Sequence, residues 1–297
     1  MPGITKPAIP TAKERRPWED GKMWSIGRID RLWSYVAGLA LGLMMTVGAQ
    51  AAPKAPENIV KAGKIVFCTE LAYAPWEMVN PDTQAPEGFD IDIAAALAKT
   101  IGVKSEHKNI AFDGLIPALQ AGQCDAIISG LADKPERREV VDFVDYAVSG
   151  NALIVRAKDE ATFKTLEDVS GRKVSVAVGS ALESELKKAN ETLKAAGKPE
   201  INILSLQSGT DAFQQLTAGL ADVYLGSTDQ AGYFNKQKPG LLKLASPQLF
   251  SLTIGVATLK KDKELHDAFE AGLKEMKDSG EYKRVLDAWG FEAMGIQ

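Results

Sequence analysis

The sequence predicts an α/β fold in two lobes, joined by two strand-like crossings that leave a cleft between the lobes and a hinge at its base. Three observations carry this reading. Beyond residue 51, short β-branched runs alternate with amphipathic stretches of helical spacing, the pattern of folds built on mostly parallel sheets. Two further apolar runs, Ala152–Val155 and Leu252–Ala257, stand between otherwise complete α/β series and so read as crossings. The stretch Ala52–Gln297 holds 246 residues, enough for two lobes of ordinary size.

Each element has its own signal. Lys64–Thr69 (KIVFCT) is the first strand. Gly88-Phe89-Asp90-Ile91-Asp92 leads into a helix whose Ile93, Ala94, Leu97, Ala98 and Ile101 keep helical spacing until Gly102 stops it. Val103–Asn109 reads as an edge-like strand, and Leu115–Ala121 as a short helix ended by Gly122. Asp125–Ser129 is apolar enough for a central strand covered on both faces. Gly130 ends it, and Pro135 suits the first turn of a following helix, where its missing N–H costs nothing. In the second series, Lys173–Val178, Ile201–Leu206 and Asp222–Leu225 are strands. Ser180 opens a helix with Glu183 at capping-box spacing, Asp211–Leu220 is helical, and Thr228-Asp229 caps a helix through Phe234. Lys263–Lys277 and Glu281–Trp289 close the chain, parted by Ser279-Gly280. The expected lobes are 52–150 with 251–297, and 151–250.

The first 51 residues read as an export signal. Leu32–Val47 is a sixteen-residue apolar run preceded by Arg28 and Arg31, and Ala49-Gln50-Ala51 supplies a small-x-small cleavage pattern. The run falls short of the roughly 20 residues of a membrane span, so an uncleaved anchor is the weaker alternative. Residues 1–22 are rich in Pro and mixed charge, which makes Met23 the expected start. Removing residues 1–51 takes away seven of 35 Lys/Arg and four of 39 Asp/Glu, leaving a net charge of −7. That charge argues against nucleic acid or an anionic membrane as partner. Cys68 closes one predicted strand and Cys124 opens another, so parallel neighbours would hold them apart, and free buried thiols are expected. His107 and His266 read as surface residues, with no metal constellation. No cofactor motif is present.

Arg137 is the leading candidate for binding chemistry. At a helix N-terminus its planar guanidinium could hold a small carboxylate in two hydrogen bonds while backbone N–H groups complete the site. The alternative is a solvated Arg137 paired with Glu139 or Asp142. Gly130, Glu70 and Ser227 all follow strand ends, where ligand sites of open α/β sheets lie, and are expected to face the cleft.

The ordered motifs Pro75-Trp76-Glu77, Gly88–Asp92, Phe112–Leu119, Cys124–Gly130, Pro135-Glu136-Arg137, Asp142-Phe143, Gly171–Val174 and Gly280-Glu281-Tyr282 carry a resemblance. Over about residues 57–291 the chain resembles the polar amino-acid-binding periplasmic solute-binding proteins of ABC importers. The resemblance implies the two-lobed periplasmic-binding-protein fold (type II), cleft closure over a solute, delivery to a membrane permease, a periplasmic location and a monomer. It also implies site residues. Arg137 would grip the ligand carboxylate, the Gly130 carbonyl would accept from an α-ammonium, and Tyr73 and Phe112 would sandwich the side chain. Glu70 would sit beside that side chain, and Gly179-Ser180 would close over the carboxylate.

Each role has a plainer counterpart. Tyr73 and Phe112 serve equally as core aromatics, Ser180 as an N-cap, Glu70 as a solvated rim residue, and Asp90 and Asp92 as helix-orienting groups. Two positions depart from the family pattern. Ala132 stands where relatives place Ser or Thr, and Ser227 where they place the aspartate that pairs with the α-ammonium. Either Asp229 swings in, or Glu70 takes the cation, or the ligand lacks an ordinary α-amino group. Lys134 adds positive charge nearby. An enzyme of the cyclohexadienyl dehydratase type, with Glu70 as general acid, and a sensory binding protein are the alternative functions. Glu70 has no adjacent nucleophile–base pair, which disfavours the enzyme.

Overall fold

The computed structural model describes residues 55–297. The expected export signal, with its Leu32–Val47 run, lies outside the described residues. Among those described, no helix is long and apolar enough to cross a membrane.

The first lobe opens with α1 (Glu57–Ala62) and β1 (Lys64–Thr69), followed by a small antiparallel sheet of β2 (Ala72–Tyr73), β3 (Glu77–Val79) and β4 (Pro86–Glu87). Helix α2 (Phe89–Thr100) follows with its apolar stripe buried, then β5 (Lys104–Asn109), α3 (Leu115–Gln120) and β6 (Ala126–Ile127). Strand β7 (Val141–Arg156) then runs sixteen residues from one lobe into the other. The second lobe holds β8 (Lys173–Ala177), α4 (Ala181–Ala195), β9 (Asn202–Leu206), α5 (Gly209–Thr217), β10 (Val223–Ser227), α6 (Thr228–Gln237) and β11 (Leu242–Leu244). Strand β12 (Phe250–Leu259) returns, and α7 (Lys263–Ser279) and α8 (Glu281–Trp289) pack back on α2.

One nine-stranded sheet runs through both lobes in the order β5-β1-β6-β12-β7-β10-β8-β9, with β11 beside β7. The outer strands are parallel, while β7 and β12 pair antiparallel from Val141↔Leu259 to Asn151↔Phe250. The crossings are therefore longer than the apolar runs at 152–155 and 252–257. Buried Ser149 and Asn151 break the apolar pattern where the lobes meet. The apolar cores follow the lobes. One cluster gathers Phe67, Trp76, Phe89, Tyr146 and Phe269; another gathers Leu153, Val174, Leu186 and Leu225.

Three expectations are overturned. Cys68 and Cys124 form a disulfide, with a Cα–Cα distance of 5.6 Å. Strand β6 begins only at Ala126, so Cys124 sits in the turn out of α3, over the sheet face to which Cys68 points, and both share a core with Leu115 and Leu119. Opposite strand ends never enter the geometry. His107 is not a surface residue: its ring stacks on Phe67 at 5.7 Å, Nδ1 lies 3.0 Å from Thr69 Oγ1, and burial pushes its pKa down to about 4. His266 comes near Asp267 and Glu270 on α7, but Asp267 pairs with Lys263 at 2.9 Å and nothing there points to an ion. Finally, Ser227 caps α6 in place of Thr228 or Asp229.

Candidate binding site

The exit of β6 is held by buried acids. Gly130 takes φ +50°, a conformation that favours glycine, and a Cβ there would come within 3.3 Å of the Tyr73 ring. Its N–H donates to Asp90 Oδ2 at 2.6 Å, while Tyr146 Oη donates to Asp90 Oδ1 at 2.6 Å. Ser129 Oγ donates to Glu77 Oε1 at 2.8 Å and accepts the Glu70 N–H at 2.9 Å. Burial, with the charge of Asp90 second, lifts the Glu77 carboxyl far above the usual carboxylate range. Asp90 rises less, because Tyr146, Gly130 and Glu77 favour its charged form. Asp90 thus orients the turn, and Asp92 ties α2 to the C-terminal helix by accepting from Trp289 Nε1 at 2.9 Å.

Beyond that turn the chain forms no α-helix. Val140 leads directly into β7, so Pro135 opens only a single 3-10 turn, Arg137–Glu139, too short to supply a helix dipole. The expected helix N-terminus at Arg137 is therefore replaced by carbonyl contacts. Arg137 Nη1 donates to the Ala132 carbonyl at 2.7 Å, and Nη2 donates to the Gly179 carbonyl of the other lobe at 3.2 Å. The guanidinium lies 5.6 Å over the Phe112 ring, a cation–π geometry. Burial pushes its pKa down to about 10. Neighbouring acids are engaged elsewhere: Asp133 pairs with Arg138 at 2.6 Å, and Glu136 lies 3.8 Å from Lys134. Neither Glu139 nor Asp142 pairs with Arg137 among the described residues, so the solvated-face reading falls.

Glu70, Tyr73, Phe112, Gly130, Ala132, Arg137 and Ser180 come together around one cavity between the lobes. Glu70 is only 4% exposed. Its burial, opposed by the Phe112 N–H and reinforced by Asp211 and Asp113, raises its pKa to about 8. That excludes the solvated-rim reading. Tyr73 stacks on Trp76 with ring centroids 6.4 Å apart.

Three sequence-predicted residues lie behind the cavity wall. The Gly179 N–H donates to Glu183 Oε2 at 3.0 Å, while its carbonyl reaches Arg137. Ser227 is fully buried, with its Oγ accepting the Gln230 N–H at 3.4 Å and donating to Asp229 Oδ2 at 3.1 Å. Asp229 turns toward the other lobe and accepts from Trp76 Nε1 at 2.6 Å rather than lining the cavity. Ser180 does line it, yet its Oγ also caps α4, accepting the Glu183 N–H at 3.1 Å.

Sequence reasoning missed Trp76, Ser149, Asn151, Gly209 and Tyr224 as cavity residues. Polar residues inside the otherwise apolar crossing strand were the available signal for Ser149 and Asn151. Nothing local marks Gly209 or Tyr224. The lobes meet across the cavity: Thr210 Oγ1 donates to the Ala72 carbonyl at 2.7 Å, and Gln230 Nε2 to the Ala74 carbonyl at 3.1 Å. The cleft is closed.

Two α/β lobes on paired crossing strands, with a charged and aromatic cavity between them, define a protein that encloses a small solute by cleft closure. The family described as bacterial extracellular solute-binding proteins, family 3, matches residues 65–292, and the chain belongs to it. The chain is 31% identical over 232 residues to the ABC transporter arginine-binding protein 1 of Escherichia coli (strain K12), a match covering 77% of this chain and 91% of that one. It is 31% identical over 257 residues to the histidine-binding periplasmic protein of the same strain, covering 84% and 94%. Among solved structures it is similar to an ancestral arginine-binding protein bound to arginine, with 34% identity, a TM-score of 0.69, and 76% and 98% of the two chains covered. These relatives are named as binding proteins, and the protein is a solute-binding protein rather than an enzyme; the dehydratase alternative is the less favoured.

Proposed function

We propose that this protein captures a small carboxylate-bearing solute, an amino acid or a derivative of one, in the periplasm and delivers it to an ABC permease in the inner membrane. One observation carries the carboxylate: a half-buried guanidinium lining the cavity, with no carboxylate in ion-pair contact among the described residues. A partly desolvated charge without a paired counter-ion is unfavourable, and a ligand carboxylate offsets that cost. Arg137 clamps it, the Gly130 turn and the Gly179-Ser180 turn close around it, and Tyr73 and Phe112 flank the rest of the solute. Ala132 contributes a carbonyl that orients Arg137. Ser227 and Asp229 act from behind the wall, Ser227 by bonding Asp229 and Asp229 by holding Trp76. The lobes divide as residues 52–150 with 251–297 and residues 151–250, a division supported by the separate apolar cores. The protein works as a monomer. The names of the matched relatives support amino acids as the class.

A thermal-shift screen of amino acids, opines and simple carboxylates tests this reading. A solute at 100 times its Kd adds about 2.7 kcal/mol of stability. Arg137→Ala is expected to abolish the shift while the far-ultraviolet circular dichroism stays that of a folded protein. A full shift in that variant refutes the clamp.

A further inference from the structure

The second lobe grips a hairpin of the first. Strands β2 and β3 pair antiparallel, Ala72 opposite Met78 and Tyr73 opposite Glu77, with the turn Ala74-Pro75-Trp76 between them. Every second residue of this hairpin, from 72 to 78, meets a side chain of α5 or α6. The Ala72 carbonyl accepts from Thr210 Oγ1 at 2.7 Å, and the Ala74 carbonyl from Gln230 Nε2 at 3.1 Å. Trp76 Nε1 donates to Asp229 Oδ2 at 2.6 Å, and Tyr233 Oη donates to Met78 Sδ at 3.7 Å.

This grip stands apart from the solute, since only Trp76 among the gripping residues lines the cavity. Gln230 is fully buried, and its Oε1 accepts the hydroxyl of Tyr224, a cavity-wall residue, at 2.6 Å. One amide therefore joins the wall of the second lobe to the backbone of the first. On the Arg137 side the polar contacts between lobes are longer. Arg137 Nη2 reaches the Gly179 carbonyl at 3.2 Å, and Lys134 Nζ reaches Ser184 Oγ at 3.4 Å. The chain passes between the lobes along β7 and β12. An opening that carries α5 away from β2 breaks the Thr210–Ala72 bond and returns both groups to water.

We propose that Thr210 and Gln230 are positioning residues that hold the closed form by gripping the β2–β3 hairpin. They set how long a solute stays enclosed without selecting which solute enters. The proposal rests on solute capture by cleft closure and not on the carboxylate reading of Arg137. A solute enters the open cleft before the hairpin meets α5, so association does not depend on the grip. Release requires the grip to break, so dissociation does. One such hydrogen bond changes the closed population by roughly three- to tenfold. The Thr210 hydroxyl faces the hairpin rather than the cavity, so this factor is common to every solute.

Thr210 gives the cleaner test, because it is only half-buried and lies outside the apolar cores. Thr210→Val removes the hydroxyl at nearly constant shape, and Thr210→Ser keeps it. Stopped-flow fluorescence and calorimetry read both variants with L-arginine, L-histidine and L-glutamine as probes. For each probe that wild type binds, Thr210→Val is expected to speed dissociation by roughly three- to tenfold. The association rate and the melting temperature without solute should stay those of wild type, and Thr210→Ser should restore slow release. Unchanged dissociation in Thr210→Val would overturn the proposal, as would a loss confined to association or no rescue by Thr210→Ser. A factor that changes from probe to probe would also overturn it, by placing Thr210 in solute selection. The carboxylate clamp fails on different data, the Arg137→Ala comparison.

Discussion

Glu70 shows how one residue couples stability to pH. Its ordinary carboxyl value is 4.5, and burial raises it to about 8 in the folded protein. Between those values the folded chain holds a proton that the unfolded chain has released. Stability is therefore full below pH 4.5 and falls as pH rises, by up to about 1.4 kcal/mol per unit, until the slope ends near pH 8. Glu70→Gln removes this loss. The variant should be more stable than wild type by about 4 kcal/mol at pH 8 and equal to it near pH 4.5. Urea unfolding at the two pH values checks this, and an equal difference at both would mean that Glu70 does not titrate as its burial demands.

At the scale of elements, closure depends on small residues where aromatic side chains cross between lobes. Gly209 opens α5, and a Cβ there would lie 2.4 Å from Tyr73 Cδ2. Tyr73 is backed by the stacked ring of Trp76 and cannot simply retreat. Gly209→Ala should therefore disfavour the closed form, weakening solute binding by roughly tenfold, the effect of about 1–3 kcal/mol of overpacking. The same change leaves each lobe's own core untouched, so the melting temperature without solute should barely move. Titration calorimetry beside a thermal melt reads both; unchanged affinity would show that this contact does not limit closure. The Tyr73–Gly209 contact joins residues 136 positions apart, which is why no local pattern announced it. By contrast α2 was legible, because Ile93, Ala94 and Leu97 repeat at helical spacing. Strands β2 and β3, two and three residues long, are too short to show a period. The single turn at Arg137 was misread because Pro135 starts a 3-10 turn as readily as a helix, and only the early start of β7 decides between them.

For the whole molecule, the Cys68–Cys124 disulfide ties the first strand to the turn that leads into the binding segment, across 56 residues of chain. Loop closure of that length stabilises by about 2–4 kcal/mol. Replacing both cysteines with serine should lower the melting temperature on the order of 10 °C, with solute affinity at room temperature retained. Differential scanning calorimetry on the two forms measures it, and an unchanged transition would mean that the bridge contributes nothing to stability.

Alternation of strand and helix, the two crossings and the acidic balance of the chain were all determined by the sequence itself, because periodicity and composition are local properties. Glu70 and Gly130, which follow strand ends and reach the cavity, were legible in the same way, whereas Tyr73 and Phe112 entered only through the family resemblance. The tertiary structure alone decided the rest. It turned Asp229 to Trp76, spent Ser227 on a helix cap, joined the two cysteines and buried Glu70 among other acids. Those outcomes depend on desolvation and on partners far away in the chain, and both are set only when the lobes have packed and closed.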